Sequence, residues 1–127
     1  MDEAARFGDL LQTFRAAHGR APLRAAQPLT RAAQIHAEDL ARRIVLTHGS
    51  ENGDLAAERA AAQGYAWALV LENVAFGQQN ADQVLTSWAN SPDHRTAMLN
   101  PEVTEYGVGL AWNHIGPYWA LTLARPA

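Results

Sequence analysis

The run from Leu69 to Phe76, LVLENVAF, constrains the fold of this chain more than any other stretch. It is far too short to span a membrane, and Gly77 and polar residues bound it, so its length and composition read as a buried strand covered on both faces. Glu72 interrupts it. By the two-residue period Glu72 shares a face with Val70, Val74 and Phe76, where an unpaired carboxylate is very costly. It must therefore be protonated, paired with an arginine such as Arg59 or Arg95, or bound to a cation. A carboxylate so placed is the strongest single functional signal in the chain.

Helical patterns supply the cover. Residues 2–18 carry Phe7, Leu10, Leu11, Phe14 and His18 at helical spacing, with Gly19 as the stop. A loop, Gly19 to Pro28, leads to the clearest helix: Leu29, Ala32, Ala33, His36, Ala37, Leu40, Ala41 and Ile44 form the apolar stripe. Arg31, Gln34, Glu38 and Arg42 line the opposite face. His36 thus points into the core, where a histidine satisfied by one hydrogen bond is a better reading than a ligand. Asp54 is expected to cap a short helix from Leu55 to Gln63, ended by Gly64. Asn80 with Gln83 reads as a capping-box start for a helix packed through Ala81, Val84, Leu85, Trp88 and Ala89.

WANSPDHRTAMLNP, residues 88–101, holds a second candidate group. Ser91 followed by Pro92 reads as an N-cap and a first helical residue, the serine hydroxyl taking an orphan N–H. His94 then lies in the first turn, where the helix dipole favours the neutral imidazole that a ligand or base requires. Asn100 and Pro101 end the helix. Beyond it YGVGLAW and YWALTLA form a hairpin around a loop at Asn113 to Pro117. Val108, Leu110, Trp112, Trp119, Leu121 and Leu123 are its bulky positions. Gly107, Gly109 and Ala111 leave a small face that lets a helix approach closely or floors a cavity. A third candidate, His48, lies in the polar loop LTHGSENGD.

Composition excludes several classes. The 127 residues contain no cysteine, which removes thiolate nucleophiles and cysteine-ligated metals. The length suits one domain, read here as residues 1–127, with no internal repeat or linker. All ten basic residues are arginine and the net charge is -3, so the cationic stripe of a nucleic-acid binder is missing. The start, MDEAARFGDLL, is acidic and amphipathic and is no signal peptide; the chain is either intracellular or given without its export signal. His48, Glu72 and His94 offer two imidazoles and one carboxylate from three separate places, a set suited to zinc with an open position. No HExxH or other short-range ligand motif accompanies them.

LTHGS with Arg59 downstream, LENVAFG, SWANSPDHRTAMLNP and TEYGVGLAW followed by YWALTLA resemble, in this order, the bacterial SCP-like branch of the CAP superfamily. The superfamily is named for cysteine-rich secretory proteins, antigen 5 and pathogenesis-related 1 proteins, and the resemblance runs from about Leu29 to Leu123. It implies an α+β fold, an α-β-α sandwich with a small central antiparallel sheet between helical layers. It also implies a cavity lined by two histidines and two glutamates. His48, Glu72 and His94 match three of those places, as the metal ligands. The segment that carries the second glutamate has none here, and Asp93, Ser91 or a water is the substitute; Ser91, Asp93 and Asn73 are the further cleft residues. Leu71 stands where the family commonly has glycine, which narrows the approach.

The resemblance further implies export, to the extracellular space or periplasm. No single activity unites such proteins. Three functions are consistent with the residues. The first is a binding module whose cleft holds a divalent metal such as zinc or a small ligand. The second is a zinc-assisted hydrolase in which Glu72 orients water. The third is a structural or envelope-interaction domain, whose partner would be a lipid or an envelope protein.

Overall fold

The computed structural model describes residues 2–127. Its elements run α1 (Glu3–Ala17), β1 (Arg24–Ala25), α2 (Gln27–Arg43), α3 (Ala56–Ala62), β2 (Trp67–Phe76), α4 (Ala81–Ala89), α5 (Pro92–Met98), β3 (Glu105–Asn113) and β4 (Gly116–Pro126). The strands form one sheet in the order β1-β3-β4-β2. β3 and β2 both pair antiparallel with β4; the two residues of β1 pair parallel with β3, inside a stretch the sequence presents only as a loop.

Helices cover both faces, so the sandwich expected from the resemblance is what forms. On one side Phe7 and Leu11 of α1, Val84 and Trp88 of α4 and Met98 of α5 pack on Val108, Trp119, Leu121 and Leu123. Phe7 meets the Trp88 ring edge-on at 5.4 Å, and the Trp88 indole N–H donates to the Val74 carbonyl. Trp88 is therefore core, as its helical spacing indicates. On the other side Ala33, Ala37, Leu40 and Ala41 of α2 pack on Val74, Tyr118 and Ala120.

The small face of the hairpin explains how closely α2 can lie. A Cβ on Gly107 would fall inside the backbone of Leu29 and Thr30, and one on Gly109 would stand 2.5 Å from the Ala33 carbonyl oxygen. The glycines therefore receive the helix backbone and do not floor a cavity. Gln34 adds a second fastening: its amide donates to the Leu110 carbonyl and accepts from the Leu110 N–H, both at 3.0 Å.

Three local expectations are corrected. LVLENVAF has cover on both faces but lies at the sheet edge, and the unbroken buried run is Pro117 to Ala124 of β4, the strand with a neighbour on each side. Leu55, and not Asp54, occupies the N-cap of α3, because the Glu58 carboxylate accepts the Leu55 N–H and defines the first turn. Ile44 leaves the apolar stripe: it ends α2 in the left-handed region at φ 56° and is exposed.

Where α3 leads into β2, Tyr65 donates to Glu105 Oε1 at 2.6 Å, and Arg24 of β1 lies 2.5 Å from Oε2. The tyrosine hydrogen bond, ahead of the Arg24 charge and against the effect of burial, holds the Glu105 carboxyl below its usual range. Such a group stabilises the fold above its unfolded pKa, and that contribution is lost as pH falls through the folded value. Tyr65→Phe is expected to cost about 1.5–3 kcal/mol at neutral pH. Urea melts of the two proteins should converge in acid, once Glu105 is protonated in both states; a pH-independent gap would show that the hydroxyl acts through something else.

Candidate functional site

Glu72 lies on the face of β2 turned towards α2 and α3, with its side chain only 4% exposed. Donors from two other elements satisfy it. Arg59 Nη2 donates to Oε2 at 2.5 Å and His48 Nδ1 to Oε1 at 2.9 Å. Of the states the sequence leaves open for this carboxylate, pairing with Arg59 is the one found. Arg59 is itself buried. Its Nη1 donates to the carbonyls of His48 and Asp54 and to Ser50 Oγ, at 2.8–2.9 Å. One guanidinium thus fixes the 48–54 loop against the edge strand.

His36 reaches the same carboxylate from behind. It is fully buried, with Nε2 2.9 Å from the Thr47 carbonyl and 3.8 Å from Glu72 Oε1. A carbonyl can only accept, so Nε2 carries the proton, and Nδ1, which has no partner among the described residues, is the bare acceptor. Burial pushes the His36 pKa down and outweighs the opposing pull of Glu72. The core histidine with one hydrogen bond is confirmed.

His48 differs in every respect. Its side chain is 57% exposed. The hydrogen bond to Glu72, against partial burial, raises its pKa. In its loop the ring is anchored by Nδ1 and open at Nε2.

His94 comes from the opposite side of the strand. Asn73, next to Glu72 and so turned to the other face, donates to the His94 backbone carbonyl at 3.0 Å. Arg15 holds the far end of α5 by donating to the carbonyls of Met98 and Asn100 at 2.8 and 3.0 Å. Ser91 is the N-cap residue and Pro92 follows it, yet the serine makes no capping hydrogen bond. Its hydroxyl lies 2.9 Å from His94 Nδ1 instead, one helical turn on. The His94 pKa is lowered, mainly by burial and next by the His48 charge, so the expected neutral imidazole has burial as its principal cause. Asp93, beside it, is exposed and makes no hydrogen bond to the cluster among the described residues.

The structure therefore joins His48 to Glu72 and Ser91 to His94, and Asn73 ties the second pair to the strand of the first. Among the described residues no three histidine, cysteine or carboxylate side chains converge closely enough to hold a metal ion. Glu72 presents both oxygens to Arg59 and His48, so as arranged the set does not fit zinc, whose ligands must turn lone pairs to one point. Among the described residues the Ser91–His94 pair also lacks a carboxylate on the other ring nitrogen to orient the base, as a nucleophilic triad has. Arg59 and His36 complete the site in ways spacing does not announce. The available signal for Arg59 was an arginine on the buried side of an alanine helix, AAERAAA.

The α-β-α sandwich is the architecture of the family to which the sequence also belongs. The model of the cysteine-rich secretory protein family, CAP, matches residues 9–122, and the chain belongs to that family. It is 29% identical over 101 residues to the uncharacterized protein YkwD of Bacillus subtilis, covering 80% of this chain and 39% of that protein. The uncharacterized membrane protein YlbC of the same organism is 30% identical over 102 residues, covering 80% of this chain and 30% of YlbC. The chain thus spans two-fifths or less of these relatives.

Among solved structures, an extracellular SCP-domain protein from Bacillus anthracis superposes with a TM-score of 0.90 at 24% identity, over 97% of this chain and 40% of that one. An outer surface protein from Borrelia burgdorferi gives 0.90 at 18% identity, over 98% and 93%. At these identities the likeness establishes the fold. No helix of the described residues is long and apolar enough to cross a membrane.

Proposed function

We propose that this CAP domain is a binding module that takes a small ligand, through an anionic or hydrogen-bonding oxygen, at the imidazoles of His48 and His94. One observation carries the reading. Each ring is anchored at Nδ1, on Glu72 or on Ser91, and among the described residues neither Nε2 has a protein partner. A ring fixed at one nitrogen and free at the other is a preorganised hydrogen-bonding group. Glu72 and Arg59 then act as the scaffold, with Asn73 and Ser91 setting the position of His94.

The same two free nitrogens are the basis for a divalent metal as the second candidate occupant. Zinc would need Glu72 to turn away from Arg59, and zinc-assisted hydrolysis stands or falls with that rearrangement. An extracellular setting is supported by the descriptions of the solved relatives as extracellular and outer-surface proteins.

Imidazole NMR signals decide between the occupants. Titrating inorganic phosphate or acetate is expected to move the His48 and His94 resonances saturably, with the response lost in His94→Ala while that variant keeps its fold. No response to either anion overturns the proposal. One tightly bound zinc per chain, lost in both His48→Ala and His94→Ala, would replace it with a metal centre.

A further inference from the structure

A groove of about 840 Å3 runs between α2 and the 50–63 segment, with Arg59 and Ser50 forming part of its wall. Ala32, Ile35 and Ala62 give it an apolar floor. Arg31 Nε donates to Gln63 Oε1 at 3.2 Å at one end, and Arg42 bridges to Glu51 at 2.7 Å at the other. Ile35 is the anomaly. It sits among Arg31, Gln34, Glu38 and Arg42 on the polar face of α2 and is 49% exposed within a concave surface.

The charge around this floor is one-sided. Glu38, Asp39, Glu51 and Asp54 line the groove against Arg42 and Arg59. Arg59 is matched by Glu72 outside the groove, and Arg42 lies between Asp39 and Glu51. Glu38 has only a long 3.3 Å contact from Gln34, and Asp54 only a 3.2 Å one from Asn52 through its carboxylate. Among the described residues, two carboxylates on facing walls are thus left without a cation, above an apolar strip.

We infer that this groove docks a basic peptide segment of a partner protein. The peptide lays one apolar side chain on Ile35 and Ala62 and sets lysines or arginines to either side against Glu38 and Asp54. An apolar anchor flanked by complementary charge is the usual division between affinity and orientation at such surfaces. A nucleic acid is repelled by the same carboxylates. A second copy of this chain is a poorer match, since it has no lysine and its exposed arginines are already engaged, Arg6, Arg24 and Arg125 with Asp82, Glu105 and Glu102, and Arg20 with the Leu99 carbonyl. The groove shares Arg59 and Ser50 with the scaffold behind His48 but none of the imidazoles, so variants at Ile35 and Glu38 test it apart from them.

The test is fluorescence anisotropy of a labelled peptide with one leucine between two pairs of lysines, against the intact chain. Saturable binding that weakens with added salt is expected, and about tenfold or greater weakening in Ile35→Ser and in Glu38→Lys. Both positions are exposed, so these variants should fold, which their melting curves check. Equal binding of a control peptide with glutamates for lysines overturns the inference. So does unchanged binding in both groove variants. Loss in His94→Ala with the groove variants unaffected would place the peptide at the imidazoles and overturn it equally.

Discussion

Arg59→Met is expected to cost about 3–5 kcal/mol of stability, the largest effect of any single charged-residue change in this chain. The substitution keeps much of the stem's volume but strands Glu72, whose side chain is 4% exposed, and removes the donor shared by two loop carbonyls and Ser50. The stranded charge is the greater part. Adding Glu72→Gln to Arg59→Met should therefore restore a large fraction of the loss, a coupling that a double-mutant cycle in urea measures directly. If the two changes are additive, Glu72 and Arg59 do not act as a unit, and the scaffold role given to them is wrong. The 48–54 loop should also loosen in Arg59→Met, seen as faster amide exchange at Ser50 and Gly53, whose N–H groups bond within that loop.

Gly109→Val should be comparably damaging. Even the first carbon of a side chain would stand 2.5–2.6 Å from the Ala33 carbonyl and the Gln34 Cα, and both belong to helix backbone that cannot move alone. Relief requires α2 to lift from the sheet, which breaks the contacts of Ala33, Ala37 and Leu40 together. A loss upward of about 3 kcal/mol, or failure to fold, is expected from overpacking of this kind. Gly49→Ala is the control, with nothing within 4 Å of the added carbon. A Gly109→Val protein that melts like the wild type would mean that the seam between helix and sheet is far more compliant than its geometry indicates.

These two sites also mark the limits of what sequence alone conveys. The hairpin alternation exposes the small face at Gly107 and Gly109 directly, because period two is a local property. That a helix backbone occupies it depends on α2, some seventy residues away, and becomes visible only in three dimensions. Glu72 announces itself as a buried carboxylate, yet its partner could not be chosen between Arg59 and Arg95, since both lie in helices of unknown docking. Ser91 stands at the helix start its sequence indicates but finds a different partner, because capping statistics describe backbone N–H groups and say nothing of a histidine one turn along. β2 and β4 illustrate a further ambiguity. Both read as apolar strands, and only the strand order tells which one has neighbours on each side. The docking groove left no trace at all except Ile35, an apolar residue out of phase on a charged helix face.

The paired hydrogen bonds between Gln34 and Leu110 have a consequence for colloidal behaviour. β1 shields β3 only at Glu105 and Tyr106, which leaves the rest of that strand as an open edge. An open edge is a template on which another chain can add a strand. The Gln34 amide takes up the outward N–H and C=O of Leu110 as a strand would. At the opposite edge the indole of Trp88 occupies the Val74 carbonyl. Side chains thus occupy one outward position on each border of the sheet, Leu110 on β3 and Val74 on β2, and a strand added at either edge would have to displace them before it could pair there.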